Sequence, residues 1–259
     1  MASALRFGPL SQGTVHVCID MQTLFAERTD WHVPWLERVL PAVTKLAEAS
    51  RERTVFTRFM PPNKPDEAIG AWRRYYERWR HMTCDQINPR LIELVPPLAA
   101  LVPPAVVIDK AYYSPFKEAA FLHALRRLRA DTLVITGAET DVCVLAAVMD
   151  AVDEGYRVIL AEDALCSVSD ESHDAMLRHF SSRFSQQIEV ASTNEILAAW
   201  SYEAEARDER HTLAPASAGS TGPALKCPLI TPSAPDSSAS AGNAAPGTIE
   251  GAGRYTRGD

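Results

Sequence analysis

The chain has 259 residues, of which 46% are hydrophobic and 23% are charged, so it can bury one substantial core. Its formal net charge of −7 argues against a nucleic-acid or anionic-membrane partner that is recruited through charge alone. No apolar stretch approaches the length of a transmembrane helix, and the N-terminus lacks the long apolar run of a signal peptide.

The five cysteines are far apart, at positions 18, 84, 143, 166 and 227, and include no CxxC pair. This spacing argues against a disulfide framework or a zinc finger, and it favours reduced thiols in the cytoplasm. Composition divides the chain into a leader at residues 1–13, one domain at 14–205 and a tail at 206–259. The tail is rich in Ala, Ser, Gly and Pro without apolar periodicity, so we expect it to be disordered and its Cys227 to be incidental.

Six short apolar runs alternate with helical patterns between residues 14 and 205. This alternation is typical of an α/β fold, and it predicts a six-stranded parallel sheet with helices on both faces, a Rossmann-like three-layer sandwich. Ser169 and the capping box of Ser192 and Glu195 are predicted to open the last two helices. The predicted strands cover residues 14–20, 54–59, 106–110, 132–136, 156–161 and 187–191.

The first residues of two predicted helices are inferred from the proline and glycine near them. Pro41 lies inside a run of apolar residues at helical spacing, and because proline is well tolerated in a first turn we begin that helix at Pro41 and end it near Ser50. Gly137 breaks the fourth apolar run, and an Ala-rich helix resumes at Val142.

A long connection, residues 60–104, carries an aromatic and basic cluster on a predicted helix. Four aromatic residues share one face of that helix at this spacing: Trp72, Tyr75, Tyr76 and Trp79. Most of them are interpreted as a packing or subunit-interface face, and one or two as walls of a substrate pocket, because long connections in compact domains tend to be functional.

Three residues with chemical potential stand at the carboxyl ends of predicted strands: Asp20, Lys110 and Cys143. Ligands of open parallel sheets bind beyond these ends. A nucleophilic thiol needs a base to take its proton and a cation to favour its charged form, and an Asp–Lys pair supplies both. Because Cys143 lies at the start of a helix, where free N–H groups and the helix dipole favour an anion, we expect a thiolate.

Each of these residues also has a structural interpretation. Asp20 could cap a short helix, Lys110 could be an ordinary surface lysine, and Cys143 could be a small buried hydrophobe. The aromatic segment 111–116 favours a partly buried lysine. The seven histidines include none at a strand end and form no HExxH or His-x-His pattern, which argues against a papain-like base and against a metal site.

Four ordered motifs resemble the isochorismatase-like cysteine hydrolases over roughly residues 14–200: VCIDMQTLF around Asp20, FTRF after the second strand, VIDKAYYSPF around Lys110 and TGAETDVCVLAA around Cys143. The stretch AVDEGYRVILAEDALCS adds weaker support. The family fold is a six-stranded parallel sheet, in agreement with the pattern above. The resemblance implies that residues 14–205 form a hydrolase domain for a small-molecule substrate, as a homodimer or homotetramer.

Carried over residue by residue, the resemblance makes Cys143 the nucleophile and Asp20 the general base that relays protons. Lys110 would hold both in place and favour their charged forms. The resemblance also implies a cis peptide between Ala138 and Glu139, which would aim the N–H groups of Glu139 and Cys143 at an oxyanion. Losing one such donor typically costs roughly 3 kcal/mol of barrier stabilisation.

Two departures narrow the activity. The nicotinamidase branch has an Asp-x-His…His metal site after the second strand, where this chain has FTRFMPPNKPDEA, so we expect no metal, no other cofactor and no nicotinamidase. Isochorismatases proper cleave a vinyl ether without a nucleophilic cysteine, so Cys143 favours hydrolysis of a small amide, ureido or carbamoyl compound. Arg58 or Arg74 could bind a substrate carboxylate. The candidate substrate-binding residues are Phe25, Arg58, Trp72, Tyr76, Tyr113 and Phe116.

Four possible functions therefore compete. The leading hypothesis is a cysteine-dependent amidohydrolase that forms an acyl-enzyme and releases ammonia or an amine. The alternatives are an isochorismatase-type hydrolase of another small metabolite, or a non-catalytic binding protein that kept the fold. A redox sensor is a further class, although Cys166 is its sole candidate for a resolving cysteine.

Overall fold

The computed structural model describes residues 5–200. The predicted tail at 206–259 and its Cys227 lie outside the described residues, as does the start of the predicted leader, residues 1–4. No helix of the described range is both long and apolar enough to pass through a bilayer.

Six parallel strands form one sheet, which confirms the predicted α/β fold. The strands are β1 Thr14–Ile19, β2 Thr54–Phe59, β3 Val106–Lys110, β4 Thr132–Ala138, β5 Arg157–Cys166 and β6 Ile188–Ala191. Their order across the sheet is β3-β2-β1-β4-β5-β6, so β1 and β4 are central. The chain winds outward in one direction from β1 and in the other from β4, and ligands of such sheets bind at this switch point.

The helices pack on both faces of the sheet, as the alternating pattern predicts. Their bounds are α1 Thr23–Ala26, α2 Leu36–Ala49, α3 Ala71–Arg78, α4 Pro96–Ala99, α5 Ala119–Arg127, α6 Cys143–Asp153 and α7 Asp170–Arg183, and residues 193–200 are also helical. One core contains residues of α2 and of the last helix, and the other contains residues of α5, α6 and α7. The predicted caps are present: the Ser169 side chain accepts from Ser172 N–H, and Ser192 and Glu195 bond reciprocally.

The predicted start of α2 at Pro41 is wrong, because the helix begins five residues earlier, at Leu36, with Pro41 inside it. Leu36 and Val39 are buried on the inner face of that first part, so apolar burial outweighs the loss of one backbone hydrogen bond at Pro41. Tertiary packing decides this boundary more than the local preference of proline.

The fourth strand continues through Gly137 and does not end there as predicted. Gly137 has a φ of +105°, and a Cβ at this position would overlap the Ile19 carbonyl oxygen of β1. The glycine therefore permits the close approach of the two central strands at the carboxyl end of the sheet. β5 is also longer than predicted, with a register irregularity opposite Ile135 and Gly137.

Residues 5–13 pack against the edge of the domain. Phe7 N–H donates to Glu189 at 3.1 Å, and Arg157 donates to the carbonyl oxygens of Gly8 and Pro9 at 2.9 Å each. The described part of the predicted leader is thus in contact with β5 and β6, and the proposed division of the chain into three parts stays a prediction.

Candidate active site

Asp20, Lys110 and Cys143 meet at the carboxyl edge of the sheet. Asp20 follows β1, Lys110 ends β3, and Cys143 begins α6 just beyond β4. Lys110 reaches across the intervening strand β2, so that its Nζ lies 2.6 Å from Asp20 Oδ2 and 3.5 Å from Cys143 Sγ. The three side chains form one buried cluster, as expected from their positions at strand ends.

Asp20 is held by Thr57 of β2 at two points. The Thr57 hydroxyl donates to Asp20 Oδ1 at 2.6 Å and accepts from Asp20 N–H at 3.1 Å. Asp20 has a φ of +49°, and it caps no helix, because α1 begins at Thr23 after Gln22. Sequence reasoning gave Thr57 no role; its hydroxyl in the middle of a buried strand next to β1 is the signal that could have singled it out.

Lys110 uses its ammonium group for three contacts: Asp20 Oδ2, Cys143 Sγ and, at 3.1 Å, the Tyr112 carbonyl oxygen. The Phe59 ring lies 5.1 Å from Nζ, at the range of a cation–π contact. Burial lowers the pKa of Lys110, but the charges of Asp20 and Cys143 outweigh burial and raise it. The lysine, expected to be partly buried, is a fully buried ammonium with 0% side-chain exposure.

Cys143 is the first residue of α6 and only 7% exposed. Burial raises the pKa of its thiol, Asp20 and Glu139 raise it further, and Lys110 counteracts only part of this. The expected resting thiolate is therefore not supported, since the helix end and one shared lysine do not offset the desolvation of a second negative charge. The raised pKa favours a neutral thiol beside the Asp20–Lys110 ion pair.

Asp20 Oδ2 is the oxygen best placed to take the proton of that thiol. It is buried and, in the described part of the chain, has no hydrogen-bond donor with good geometry, although Lys110 Nζ is close enough for an ion pair. The other oxygen, Oδ1, is occupied by Thr57. A contact between the Asp20 carboxylate and the Cys143 thiol contributes to the raised pKa of Cys143. The carboxylate can thus receive a proton without first losing a donor.

The turn between β4 and α6 presents free backbone donors. A cis peptide bond joins Ala138 and Glu139, at the place that the family resemblance implied. Glu139 O accepts from Val142 N–H and Val144 N–H, each at 3.0 Å, whereas within the described residues the N–H groups of Glu139 and Cys143 donate to no other group. Unpaired N–H groups at a nucleophile turn can stabilise a developing oxyanion.

Side chains behind this turn hold it in place. Thr140 donates its hydroxyl to Cys166 O at 3.1 Å and its N–H to the same oxygen at 2.9 Å. Because that hydroxyl proton is used, His173 Nδ1, 2.9 Å away, is assigned as the donor to Thr140 Oγ1. Asp141 and Ser167 form a further hydrogen bond across the turn. The sequence gave His173 no site role, and only its spatial contact with Thr140 reveals one.

Two of the predicted pocket residues line one open cavity next to the first turns of α6. Trp72 of α3 and Tyr113 lie 4.7 Å apart between ring centroids, and with Ala146 and Met149 of α6 they line a cavity of about 690 Å³. Ala146 is one helical turn beyond Cys143, so this cavity adjoins the nucleophile end of α6.

The other aromatic candidates pack differently. Phe25 stacks on Trp31 at 6.5 Å within the core, and Phe116 packs on Phe121 at 5.0 Å in the opposite layer. Tyr76 is 2% exposed, its hydroxyl has no hydrogen-bond partner in the described part of the chain, and it lines a separate cavity of about 270 Å³. Phe25 and Phe116 are therefore packing residues, whereas Trp72 and Tyr113 line a cavity. Of the aromatic cluster in residues 60–104, the buried Tyr76 agrees with the packing interpretation.

The two arginine candidates lack support as carboxylate binders. Arg58 binds Asp109 through two hydrogen bonds of 2.7 and 3.0 Å and binds Glu93 at 2.6 Å, so its guanidinium is already occupied. This cross-strand pair follows from the register, in which Arg58 of β2 faces Asp109 of β3. Arg74 is exposed on α3. Among residues 5–200, no group of three His, Cys, Asp or Glu side chains is arranged to hold a metal ion.

Comparison with known proteins decides the family. The Isochorismatase domain matches residues 14–192, which is more than half of the chain. The chain belongs to the isochorismatase family. This membership confirms the resemblance stated from the four motifs.

Relatives of known structure share the fold. A cysteine hydrolase from Pseudomonas syringae superposes with a TM-score of 0.64 at 23% identity, covering 77% of this chain and 100% of that one. A nicotinamidase/pyrazinamidase from Bacillus subtilis superposes with a TM-score of 0.58 at 23% identity, covering 69% of this chain and 99% of that one.

A curated relative matches a smaller share of this chain. A maleamate amidohydrolase from Pseudomonas putida is 28% identical over 127 residues, 49% of this chain and 57% of that protein. The chain spans about half the length of the first curated relatives that it matches. The isochorismatase-family fold is therefore established for this chain, and its own reaction has to be argued from the site.

Proposed function

We propose that this isochorismatase-family protein is a cysteine-dependent amidohydrolase, which cleaves a C–N bond of a small amide, ureido or carbamoyl compound. One observation carries the proposal: a buried ammonium, Lys110, joins a carboxylate, Asp20, and a thiol, Cys143, at 2.6 and 3.5 Å. The names of the maleamate amidohydrolase and the nicotinamidase/pyrazinamidase, which describe amide hydrolysis in those proteins, support the same reaction class.

Attack begins from a neutral thiol. Since burial raises the pKa of Cys143, the proton passes to Asp20 Oδ2 as sulfur approaches the substrate carbonyl carbon, and a free thiolate need not accumulate first. Lys110 keeps the carboxylate charged before the transfer and stabilises the negative charge that builds on sulfur. General-base assistance of this kind typically contributes about 10²–10⁴ in rate.

The attack converts the carbonyl into a tetrahedral oxyanion. The free N–H groups of Glu139 and Cys143 are the donors we assign to it, each worth roughly 3 kcal/mol of barrier stabilisation. Asp20, now protonated, gives its proton to the leaving nitrogen, the C–N bond breaks, and ammonia or an amine departs. A thioester of Cys143 remains.

Water completes the cycle. Asp20, again a carboxylate, takes a proton from the incoming water, whose oxygen attacks the thioester carbon. Collapse of the second tetrahedral intermediate breaks the C–S bond, returns the proton to sulfur and releases the carboxylic or carbamic acid. The chain alone supplies every proton acceptor and donor in this scheme.

The assembly and location are part of the same proposal. We infer a homodimer or homotetramer, as the resemblance implies, and a cytoplasmic enzyme, because the four cysteines of the described range are all free thiols. Light scattering on the purified chain tests the assembly, and a monomer at all concentrations would contradict it.

The decisive variant is Cys143→Ala, compared with Cys84→Ala, which removes another free cysteine that has no contact with the triad. Ammonia release from a panel of amides, ureas and carbamates should vanish in the first variant and persist in the second, with unchanged circular dichroism in both. Undiminished ammonia release by the folded Cys143→Ala variant would reject the proposed nucleophile.

A further inference from the structure

Gln22, two residues after the proposed base Asp20, is a polar side chain that the proposed reaction does not use. It belongs to the VCIDMQTLF motif and is 0% exposed. Its Nε2 donates to Phe59 O at 3.1 Å and to Ile92 O at 2.8 Å, and its Oε1 accepts from Phe59 N–H at 2.7 Å. Both N–H bonds of the amide are therefore used, and the Phe59 N–H fixes which atom of the amide is the oxygen.

These bonds extend the pairing between β1 and β2 beyond the end of β1. The backbone register of the two strands ends at Cys18 and Phe56, while β2 continues to Phe59. The chain leaves β1 at Asp20, which has a φ of +49° and accepts from Gln22 N–H at 2.8 Å through its carbonyl oxygen. Phe59 is therefore paired on its β1 side by the planar amide of Gln22, which offers a donor and an acceptor as a peptide group does.

Phe59 is in turn the neighbour of Lys110. The two residues pair in register between β2 and β3, and the Phe59 ring lies 5.1 Å from Lys110 Nζ. The next residue, Met60, donates its N–H to Lys110 O at 2.9 Å. Because Asp20 and Lys110 meet across the end of β2 at 2.6 Å, the position of this strand end sets the span that the two side chains have to cross.

The segment that carries Gln22 is itself anchored on its other side. Residues 21–23 bond to residues 92–95 through two backbone hydrogen bonds of 2.9 and 3.0 Å, and the Gln22 side chain adds its bond to Ile92. A side chain that is fixed at its own backbone and fully hydrogen-bonded in a buried place has little freedom to move. The Gln22 amide can therefore define the position of Phe59.

We propose that Gln22 is a positioning residue of the active site, which holds the end of β2 where Asp20 and Lys110 can meet. This inference rests on the proposed function and deepens it. Gln22 acts through Phe59 and through its own backbone bond to Asp20. Since the Lys110 ammonium lies 3.5 Å from Cys143 Sγ and opposes the rise of the thiol pKa, a displaced ammonium would make the thiol harder to ionise. A misplacement of about 1 Å can cost on the order of 10² in rate.

Gln22→Met tests this role, because methionine has nearly the same length as glutamine and lacks the donors and the acceptor of the amide. The matched control is Thr54→Val at the other end of β2. Thr54 is 1% exposed, and its hydroxyl donates to Ser50 O at 3.0 Å. Both variants remove a buried side chain's hydrogen bonds to or from β2 and should lower the melting temperature, whereas only Gln22→Met should change the chemistry of the site.

Two readouts are taken well below the melting temperature of each variant. The first is alkylation of Cys143 by iodoacetamide, followed by peptide mass spectrometry, which needs no substrate. Gln22→Met should slow it by about three-fold or more at pH 8, because less thiolate forms, and Thr54→Val should leave it within about two-fold. The second is ammonia release from an amide that the wild type hydrolyses, for which Gln22→Met should lower kcat by about ten-fold or more and change KM less.

If Gln22→Met does not fold, Gln22→Asn replaces it, since its amide is one methylene too short to bond Phe59 at the present separation. Wild-type alkylation in the folded variant, equal slowing in Thr54→Val, or a wild-type Cys143 that iodoacetamide does not label would overturn the positioning role. Slower alkylation together with no hydrolysis of any amide by the wild type would support that role and reject the amidohydrolase. Amide hydrolysis with an unchanged kcat in the Gln22 variant would do the reverse.

Discussion

Lys110 Nζ lies 2.6 Å from Asp20 Oδ2, and the two side chains are 0% and 1% exposed. The pair connects β3 with the residue after β1 across the intervening strand. Burying two charges is costly, and removing one of them leaves the other uncompensated. The pair therefore couples the fold of the sheet edge to the chemistry of Cys143.

Replacing Lys110 should damage stability and activity together. Lys110→Met leaves the Asp20 carboxylate buried without a cation, so we expect the free energy of unfolding to fall by about 3–5 kcal/mol and amide hydrolysis to be lost. Urea unfolding followed by circular dichroism measures the first effect. The control is Lys117→Met, an exposed lysine 3.7 Å from Asp150, which should cost less than about 1 kcal/mol. Equal losses in both variants would contradict the role given to the buried pair.

Asp20→Asn should remove the base and keep the contact with Thr57. We expect kcat to decrease by about 10²–10⁴ or more, because the amide cannot take the thiol proton. Asp109→Asn changes a carboxylate that pairs with Arg58, and it should keep kcat within roughly two-fold, as expected of an exposed pair. A folded Asp20→Asn variant with wild-type kcat would assign the base to another group.

Gly137→Ala should prevent the close approach of β4 to β1. A Cβ at Gly137 overlaps the Ile19 carbonyl and forces a side chain into positive φ, so we expect a loss of at least about 2 kcal/mol or no folded protein. Gly155→Ala shares the positive φ, yet nothing lies within 4 Å of its Cβ, so its loss should be smaller. Melting temperatures of the two variants test this difference. An equal loss in both would show that backbone strain destabilises Gly137→Ala and that the clash with Ile19 contributes nothing.

The bounds of two strands could be predicted from the sequence. Strands β2 and β3 begin and end where their apolar runs do. The position of Lys110 at the end of β3 was therefore predicted correctly. The continuation of β4 through Gly137 was not predicted, because a glycine in the sequence indicates the end of a strand. In the structure, this glycine permits a close contact with Ile19. The burial of Cys143, which raises the pKa of its thiol against the helix end, is visible only in three dimensions.

Contacts between distant segments were equally hidden in the sequence. Thr57 and His173 are separated in sequence from Asp20 and Thr140, which they hold, by 37 and 33 residues. Arg58 looked free in its motif, and only the register of β2 and β3 places Asp109 beside it. Roles that depend on such pairings cannot be read from local residue patterns.

The raised pKa of Glu139 predicts that the stability of the protein depends on pH. The pKa of Glu139 is raised to about 7, mainly by burial and further by the charges of Asp141 and Asp20. A hydrogen bond from Val168 N–H lowers this pKa in part. Because its folded-state pKa lies above its unfolded value, the stabilising contribution of the protonated form is full at low pH and is lost as the pH rises to about 7.

Glu139→Gln should therefore gain stability relative to the wild type above pH 7. We expect a difference of up to about 3 kcal/mol at pH 8 that disappears near pH 4. Urea unfolding at both pH values measures it. A pH-independent difference between the two proteins would contradict the raised pKa of Glu139.

The central claim is that Cys143 carries the acyl group. The most direct test is intact-mass spectrometry of the protein, quenched within milliseconds to seconds of mixing with pooled amides, ureas and carbamates, followed by peptide mapping. We predict a mass increase that equals one substrate minus ammonia or its amine, located on Cys143 and absent from the Cys143→Ala variant. Hydrolysis without an adduct on Cys143, or an adduct that persists in the Cys143→Ala variant, would contradict the account.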